Sequence, residues 1–333
     1  MKSILITGGL GYIGSHAAKL FLEKGFKVTI FDNVSRGFEE VYNILKPLGN
    51  LQLVKGDLRN LEDLQILFKN YKFDAVLHFA GLCSVHESME NPELYFENNT
   101  FGSFNLFEEM RKNGVKKIVF SSTCAVYGET EYLPVDEKHP LNPTNPYGES
   151  KLMIEKILRW YGEKHGFNFV VLRYFNVCGA DIEGIIGDSK KPSPHLMQNV
   201  VRGALDIEDF MFSCPQVKTP DNTPIRDYVD VNDLVQAHFN AYEYLVSNNE
   251  NQVINLGTGK GNSVKEIVNQ VEKILEVEIP KKNGDVRKGE YAAIYADYTK
   301  ANKVLGWKPS KSLKESILSL RNWYKKYPNG YKH

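Results

Sequence analysis

The apolar run Ser3-Ile4-Leu5-Ile6-Thr7 leads straight into Gly8-Gly9-Leu10-Gly11-Tyr12-Ile13-Gly14, and few folds accommodate that junction. The glycines satisfy both G-x-G-x-x-G and G-x-x-G-x-x-G. Beyond them Ile13, Ala17, Leu20 and Phe21 recur at i, i+4, i+7 and i+8, one face of a helix that Gly25 can stop. A strand, a glycine turn and a helix in that order let the backbone approach a pyrophosphate closely. The phosphate charge is met by free N–H groups at the helix N-terminus. The same glycines also serve plain helix-on-strand packing, so the junction alone is weak evidence. Asp32 strengthens it: it ends the next apolar run, 18 residues past Gly14, where a carboxylate accepts hydrogen bonds from an adenosine ribose diol. A 2′-phosphate would be repelled there, so NAD is expected rather than NADP, although Arg36 lies nearby.

The strand–helix alternation continues. Runs at Ser3–Thr7, Lys27–Asp32, Leu51–Gly56, Ala75–Ala80, Lys117–Ser121 and Phe169–Arg173 are apolar on both faces, as in strands covered by helices on each side. Residues 176–225 carry scattered Pro, Gly, Asp and Ser and read as a loop-rich insertion. A helix near 231–246, a strand Gln252–Leu256 and helices near 263–276 and 312–326 follow. The expected fold class is α/β, a doubly wound parallel Rossmann sheet with a smaller, discontinuous C-terminal substrate domain. The dinucleotide domain takes 1–175 plus about 226–258, and the substrate domain takes 176–225 and about 259–333.

Composition closes off several functions. At 333 residues the chain has room for about two domains. Lys+Arg and Asp+Glu are each 41, so the basic excess that displaces counterions from nucleic acid is missing. The four cysteines form no C-x-x-C pair, which suits a reducing compartment. The histidines show no ligand spacing, so no metal is expected. No apolar run approaches the roughly 20 residues that cross a bilayer. The N-terminus reaches its glycine turn too early for a signal peptide. No membrane association and a cytoplasmic location are the expectation.

Asn145-Pro146-Tyr147-Gly148-Glu149-Ser150-Lys151 reads as a helix start, with Asn145 as N-cap and Pro146 in the first turn. Tyr147 and Lys151 then share a face. A phenol titrates near ~10, too high for a base at neutral pH. A neighbouring ammonium lowers that value, making the pair a general base for removing a carbinol proton as hydride leaves the same carbon. Upstream, Phe120-Ser121-Ser122-Thr123-Cys124-Ala125 ends a strand with hydroxyls able to bridge substrate and phenol. His78, closing the fourth strand, reads as a core histidine.

Taken together and in this order, these motifs resemble the extended short-chain dehydrogenase/reductase superfamily, and within it the UDP-glucose (UDP-galactose) 4-epimerases, over essentially the whole length. The resemblance implies NAD that stays bound, a homodimer, and a UDP-sugar in the cleft between domains. By motif it assigns Gly8, Gly11, Tyr12, Ile13, Gly14, Asp32, Asn33, Asp57, Leu58, Phe79, Ala80, Gly81, Asn98 and Tyr174 to the cofactor, together with Tyr147 and Lys151. Tyr147 is then the base, Lys151 its electrostatic partner and a ribose ligand, and Thr123 the bridging hydroxyl. For the nucleotide sugar it implies Thr123, Asn176, His195, Leu196, Arg226, Arg287 and Glu290, the two arginines gripping the diphosphate. From the residues alone, a salt bridge to Asp227 or Asp230 is the favoured reading of Arg226, and a solvated charge that of Arg287.

The implied reaction removes hydrogen from C4 of a UDP-hexose, turns the transient 4-ketose over, and returns hydride to its other face. Cys83 stands where these epimerases usually carry Lys, Asp230 where they carry His, and Glu290 where they carry Asp. Ile294 falls at the position facing the sugar's 2-substituent. The alternatives are a 4-epimerase of another UDP-sugar (an N-acetylhexosamine, uronate or pentose), or a dehydratase or decarboxylase of the same superfamily. Those last two put acids beside the hydroxyl residue, where this chain has Cys124-Ala125.

Overall fold

The computed structural model describes residues 1–286, 289 and 291–331. Among them, seven parallel strands form one sheet: β1 (Ser3–Thr7), β2 (Lys27–Asp32), β3 (Leu51–Lys55), β4 (Ala75–His78), β5 (Lys117–Thr123), β6 (Asn168–Tyr174) and, beyond several intervening elements, Gln252–Leu256 at the edge. The order from the first edge is β3-β2-β1-β4-β5-β6 and then Gln252–Leu256. The chain therefore reverses direction between β1 and β4, and a crevice opens outside their carboxyl ends. Each strand feeds both faces. Ile4 and Ile6 enter one buried cluster and Leu5 the other; Val119 opposes Ile118 and Phe120, and Val170 and Leu172 oppose Val171. Period-two alternation between two apolar layers is what makes these strands read as unbroken apolar runs.

The expected strand edges shift slightly. β4 ends at His78 rather than Ala80, because Phe79 N and Ala80 N turn to the Thr7 carbonyl (3.1 Å) and hydroxyl (3.3 Å). β5 and β6 run longer, since Ser122 and Thr123 pair with Arg173 and Tyr174.

After β6 the chain passes through Phe175 into β7 (Asn176–Cys178), which belongs to a second, smaller sheet. There β7 pairs with β9 (Ile225–Asp230), which also holds Gly261–Ser263 and Ala293–Ile294. Between them, β8 (Phe210–Phe212) pairs with Lys281–Asn283. The helix Val231–Ser247 then returns to pack against the first helix, Tyr12–Glu23. The region read as loop-rich contains a helix, Leu196–Ala204, with Met197, Val200, Val201 and Ala204 buried. Its apolar spacing was present in the sequence, but polar Gln198 and Arg202 are buried on it too and blur the pattern. No helix among the described residues is long and apolar enough to cross a membrane.

Candidate active site

The glycine turn sits at the carboxyl end of β1. Gly8 has φ +70°, and a Cβ there would lie 2.6 Å from Ala80 N, so this position packs loop against loop. A Cβ on Gly14 would overlap the Gly8 carbonyl. Gly11 differs: its added Cβ would meet only Gly8 O, at 3.3 Å, and otherwise faces open space. As N-cap of the first helix Gly11 offers no side-chain acceptor, so the N–H groups of that turn, Tyr12 and Ile13 among them, are not capped by it. Tyr12 itself turns inward, donating from its hydroxyl to Gly179 O at 2.5 Å.

Asp32 is buried at the end of β2. Its two oxygens accept from Leu10 N (3.0 Å) and Val34 N (2.8 Å), tying the acid to the glycine turn. Burial raises its pKa despite those bonds. Asn33 donates to Asp57 at 2.8 Å, and Arg59 forks onto the same carboxylate, holding Asp57 down to about 2. The Leu58 carbonyl is taken by Asn105. Phe79 stacks on His238, centroids 4.7 Å apart. His78 is a satisfied core histidine, bonded to Thr7 (2.7 Å) and Ser103 (2.8 Å), and burial drops its pKa to about 3.

The second part of the site hangs on the helix Pro146–His165. Asn145 caps it, accepting from Gly148 N at 2.9 Å, and Pro146 occupies the first turn. Gly148 is needed because a Cβ there would press to 2.5 Å from Ala125 O, pushing the helix off the turn that follows β5. That contact brings Tyr147 to Thr123, whose hydroxyl faces the phenol and favours its ionised form. Lys151 donates to Ser121 O at 3.0 Å, and its ammonium lies 5.0 Å from the Phe120 ring centre. Gly81 roofs it, since a Cβ there would sit 3.2 Å from Lys151 Nζ.

The electrostatics correct one expectation. Burial raises the Tyr147 phenol well above 10, with Cys83, Tyr174 and Cys124 adding to the rise. Burial likewise pulls the Lys151 pKa down, to about 8, while one N–H of its ammonium donates to the Ser121 carbonyl. Desolvation is the largest influence on both groups.

Asn99, which carries no sequence signal of its own, is the buried member of the Asn98–Asn99 pair. Asn98 is half-buried and donates from its side-chain amide to the Asn99 side-chain Oδ1 at 3.0 Å. The buried Asn99 side chain accepts from Leu82 N (2.8 Å) and donates to Leu82 O (3.0 Å) and Ser150 Oγ (3.1 Å). It locks the loop after β4 to the Tyr147 helix from within a π-helical turn, Phe96–Phe101. Two adjacent asparagines give no sequence signal for which one turns inward.

Tyr174 ends β6 in register with Thr123, and its phenol faces Ser121. Asn176 opens β7 opposite Tyr228. His195 precedes the Leu196–Ala204 helix with its ring 5.5 Å from that of Tyr12, and Leu196 packs on the main core. Arg226 is buried, stacked 4.6 Å over the Tyr291 ring and donating to the Ile225 and Tyr291 carbonyls. The salt bridges considered for it do not form: Asp227 accepts from Thr258, Gly259 and Ala296, and Asp230 caps the helix after β9 and takes Ser316. Ile294 lies beside Arg226 in a buried cluster with Cys124 and Tyr291. Arg287 and Glu290 lie outside the described residues. Among those described, no three His, Cys, Asp or Glu side chains converge as metal ligands.

The 3-2-1-4-5-6 strand order, the glycine turn and the Tyr147/Lys151 helix define an extended short-chain dehydrogenase/reductase. The chain belongs to the family described as GDP-mannose 4,6 dehydratase, whose profile matches residues 5–319. UDP-glucose 4-epimerase of Halalkalibacterium halodurans is 40% identical over 331 residues, covering 99% of this chain and 97% of that protein. UDP-arabinose 4-epimerase 1 of Arabidopsis thaliana is 39% identical over 338 residues, covering 98% and 80%. The structure of UDP-glucose 4-epimerase from Bifidobacterium longum in complex with NAD+ and UDP matches with a TM-score of 0.93 at 36% identity, covering 99% of this chain and all of that one.

Proposed function

We propose that this chain is an NAD-dependent UDP-sugar 4-epimerase acting on UDP-glucose and UDP-galactose. The observation that carries the reading is the turn beside the base: Thr123, whose hydroxyl faces the Tyr147 phenol, is followed by Cys124 and Ala125, neither of them an acid. Elimination of water or carbon dioxide from a ketosugar needs an acid or base beyond the phenol. Epimerisation needs only one group to take and return a single proton. This separates the chain from the dehydratase that gives its family a name.

The residues fit a dinucleotide. Gly11 leaves room before an uncapped helix end, and Asp32 is tied to the same glycine turn through Leu10 N. We assign Gly8, Gly11, Tyr12, Ile13, Gly14, Asp32, Asn33, Asp57, Leu58, Phe79, Ala80, Gly81, Asn98 and Tyr174 to cofactor binding, with Tyr147 and Lys151 at its reactive end. Bound there, NAD supplies a hydride acceptor and, when oxidised, a positive charge beside the phenol. Thr123 hands the sugar's 4-hydroxyl proton towards Tyr147 and the phenol returns it after the ring turns over. Lys151, braced on the Ser121 carbonyl, presents its remaining N–H donors to the cofactor ribose. Asn176, His195, Leu196 and Arg226, joined by Arg287 and Glu290, hold the UDP moiety so that the ketose rotates without leaving.

The active unit is a homodimer in the cytoplasm. Phe101, Phe104, Met153 and Ile157 line an apolar, solvent-facing surface across two helices, Phe101 51% exposed, and a second copy related by a two-fold axis would cover it. Sedimentation should show the dimer, and Phe101→Glu should dissociate it. The function is tested by incubating the protein with a panel of UDP-sugars and following the C4 configuration by NMR. UDP-galactose and UDP-glucose should interconvert with no other product; a 4-keto-6-deoxy sugar or a pentose from a uronate would overturn the reading.

A further inference from the structure

Glu155 lies two turns beyond Tyr147 and one beyond Lys151, so the three share a face of their helix. Both Glu155 and its partner Arg173 are buried. Glu155 Oε1 accepts from Ser122 Oγ at 2.5 Å and from Arg173 Nε at 3.0 Å, while Oε2 accepts from Arg173 Nη2 at 2.5 Å. Arg173 Nη1 donates to the Tyr127 hydroxyl (3.1 Å), which donates to Asn255 (2.6 Å). Five segments are thus bolted together behind the catalytic face: β5, the turn after it, the Tyr147 helix, β6 and the edge strand Gln252–Leu256.

Such a pair is a poor way to gain stability, because desolvating two charges offsets most of their attraction. Its geometry is what distinguishes it. Ser122, the residue Glu155 grips, stands between Ser121, whose carbonyl holds Lys151 Nζ, and Thr123, whose hydroxyl faces Tyr147. A slip of β5 along the helix would move both contacts together.

We propose that Glu155 is a positioning residue of the active site: clamped by Arg173, its carboxylate fixes Ser122, and with it the Ser121 carbonyl and Thr123 hydroxyl, against the Tyr147–Lys151 face. It also places one negative charge behind Lys151. The ionisable neighbours of that ammonium are Cys83, Glu155 and His78; those of the Tyr147 phenol are Cys83, Tyr174 and Cys124; those of Arg173 are Glu155, Tyr127 and Lys300. The inference rests on the epimerase reading for its kinetic readout.

Glu155→Gln keeps the shape and removes the charge, leaving the Arg173 cation uncompensated. Both limbs of the pH profile of kcat/KM should move acid-ward by on the order of one pH unit, and kcat at neutral pH should fall about tenfold. KM for UDP-galactose and bound NAD should not change. Ser122→Ala removes the pin but no charge: kcat should fall about tenfold with the profile in place. Glu155→Asp should keep the profile in place while lowering kcat. A Glu155→Gln profile coincident with wild type, or losses of kcat matched by losses of bound NAD, would overturn the proposal. The Tyr147 phenolate absorbance, read in the holoenzyme as the difference from Tyr147→Phe in each background, should shift to lower pH in Glu155→Gln. That readout needs no turnover, so a wild type inactive on every UDP-sugar would sink the function while leaving this test standing.

Discussion

The two ends of the crevice are built by opposite means. At the end proposed for the dinucleotide, Gly8, Gly11, Gly14, Leu10 and Asp32 come from one β-α-β stretch, which offers backbone N–H donors and missing side chains. At the end proposed for the reaction, Thr123, Tyr147, Lys151, Tyr174 and Arg226 come from four separate segments and offer side-chain termini. The first end is placed by local backbone geometry. The second depends on long-range braces such as Gly148 against Ala125 and Glu155 against Ser122 and Arg173. The lesson is that changes at the first end should empty the crevice, while changes at the second should leave it filled and idle.

The largest effect that tests this contrast is Tyr147→Phe. Removing the proton-transfer group should lower kcat by about 10³-fold, since general acid–base groups contribute 10²–10⁴. Bound NAD, measured after denaturation, should stay at the wild-type level, and its loss would break the division of labour. Gly14→Ala is the converse. Its methyl overlaps Gly8 O, so the turn must open, and the purified protein should carry little or no NAD.

Asp32→Asn is milder, because Asn can still accept one backbone bond: NAD affinity by calorimetry should drop about tenfold, with preference over NADP reduced. The smallest effect concerns stability. The fold depresses Lys151 from 10.5 to about 8, so it favours the neutral amine. The cost is present in full below about 8 and fades as pH rises towards 10.5. Lys151→Met should therefore make the cofactor-free protein more stable at pH 7, by about 3 kcal/mol at most, with the gap closing above pH 10. Urea unfolding at both pH values measures it, and a variant less stable than wild type at pH 7 would refute it.

Legibility followed the same division. The strands of the main sheet, the capped helix at Asn145 and the glycine turn were readable because each is dictated by neighbours within a few residues: alternation, a cap, a missing Cβ. The helix Leu196–Ala204 and the short strands of the second sheet were not, since their partners lie tens of residues away and their pairing leaves no period in the chain. Asn99 and Glu155 were invisible for a related reason. An amide or a carboxylate on a helix becomes a brace only when a particular partner is folded opposite it.

What the sequence determined by itself was chemistry of type: a glycine turn before a helix, an acid closing the second strand, a phenol and an amine on one face. Tertiary structure decided their state. Burial, which no local pattern encodes, set the phenol above its ordinary pKa and the amine below it. It also turned Arg226 away from its acidic neighbours onto Tyr291. Solvent exclusion is a property of the assembled fold, because it depends on every segment that closes over a group and not on the residues beside it.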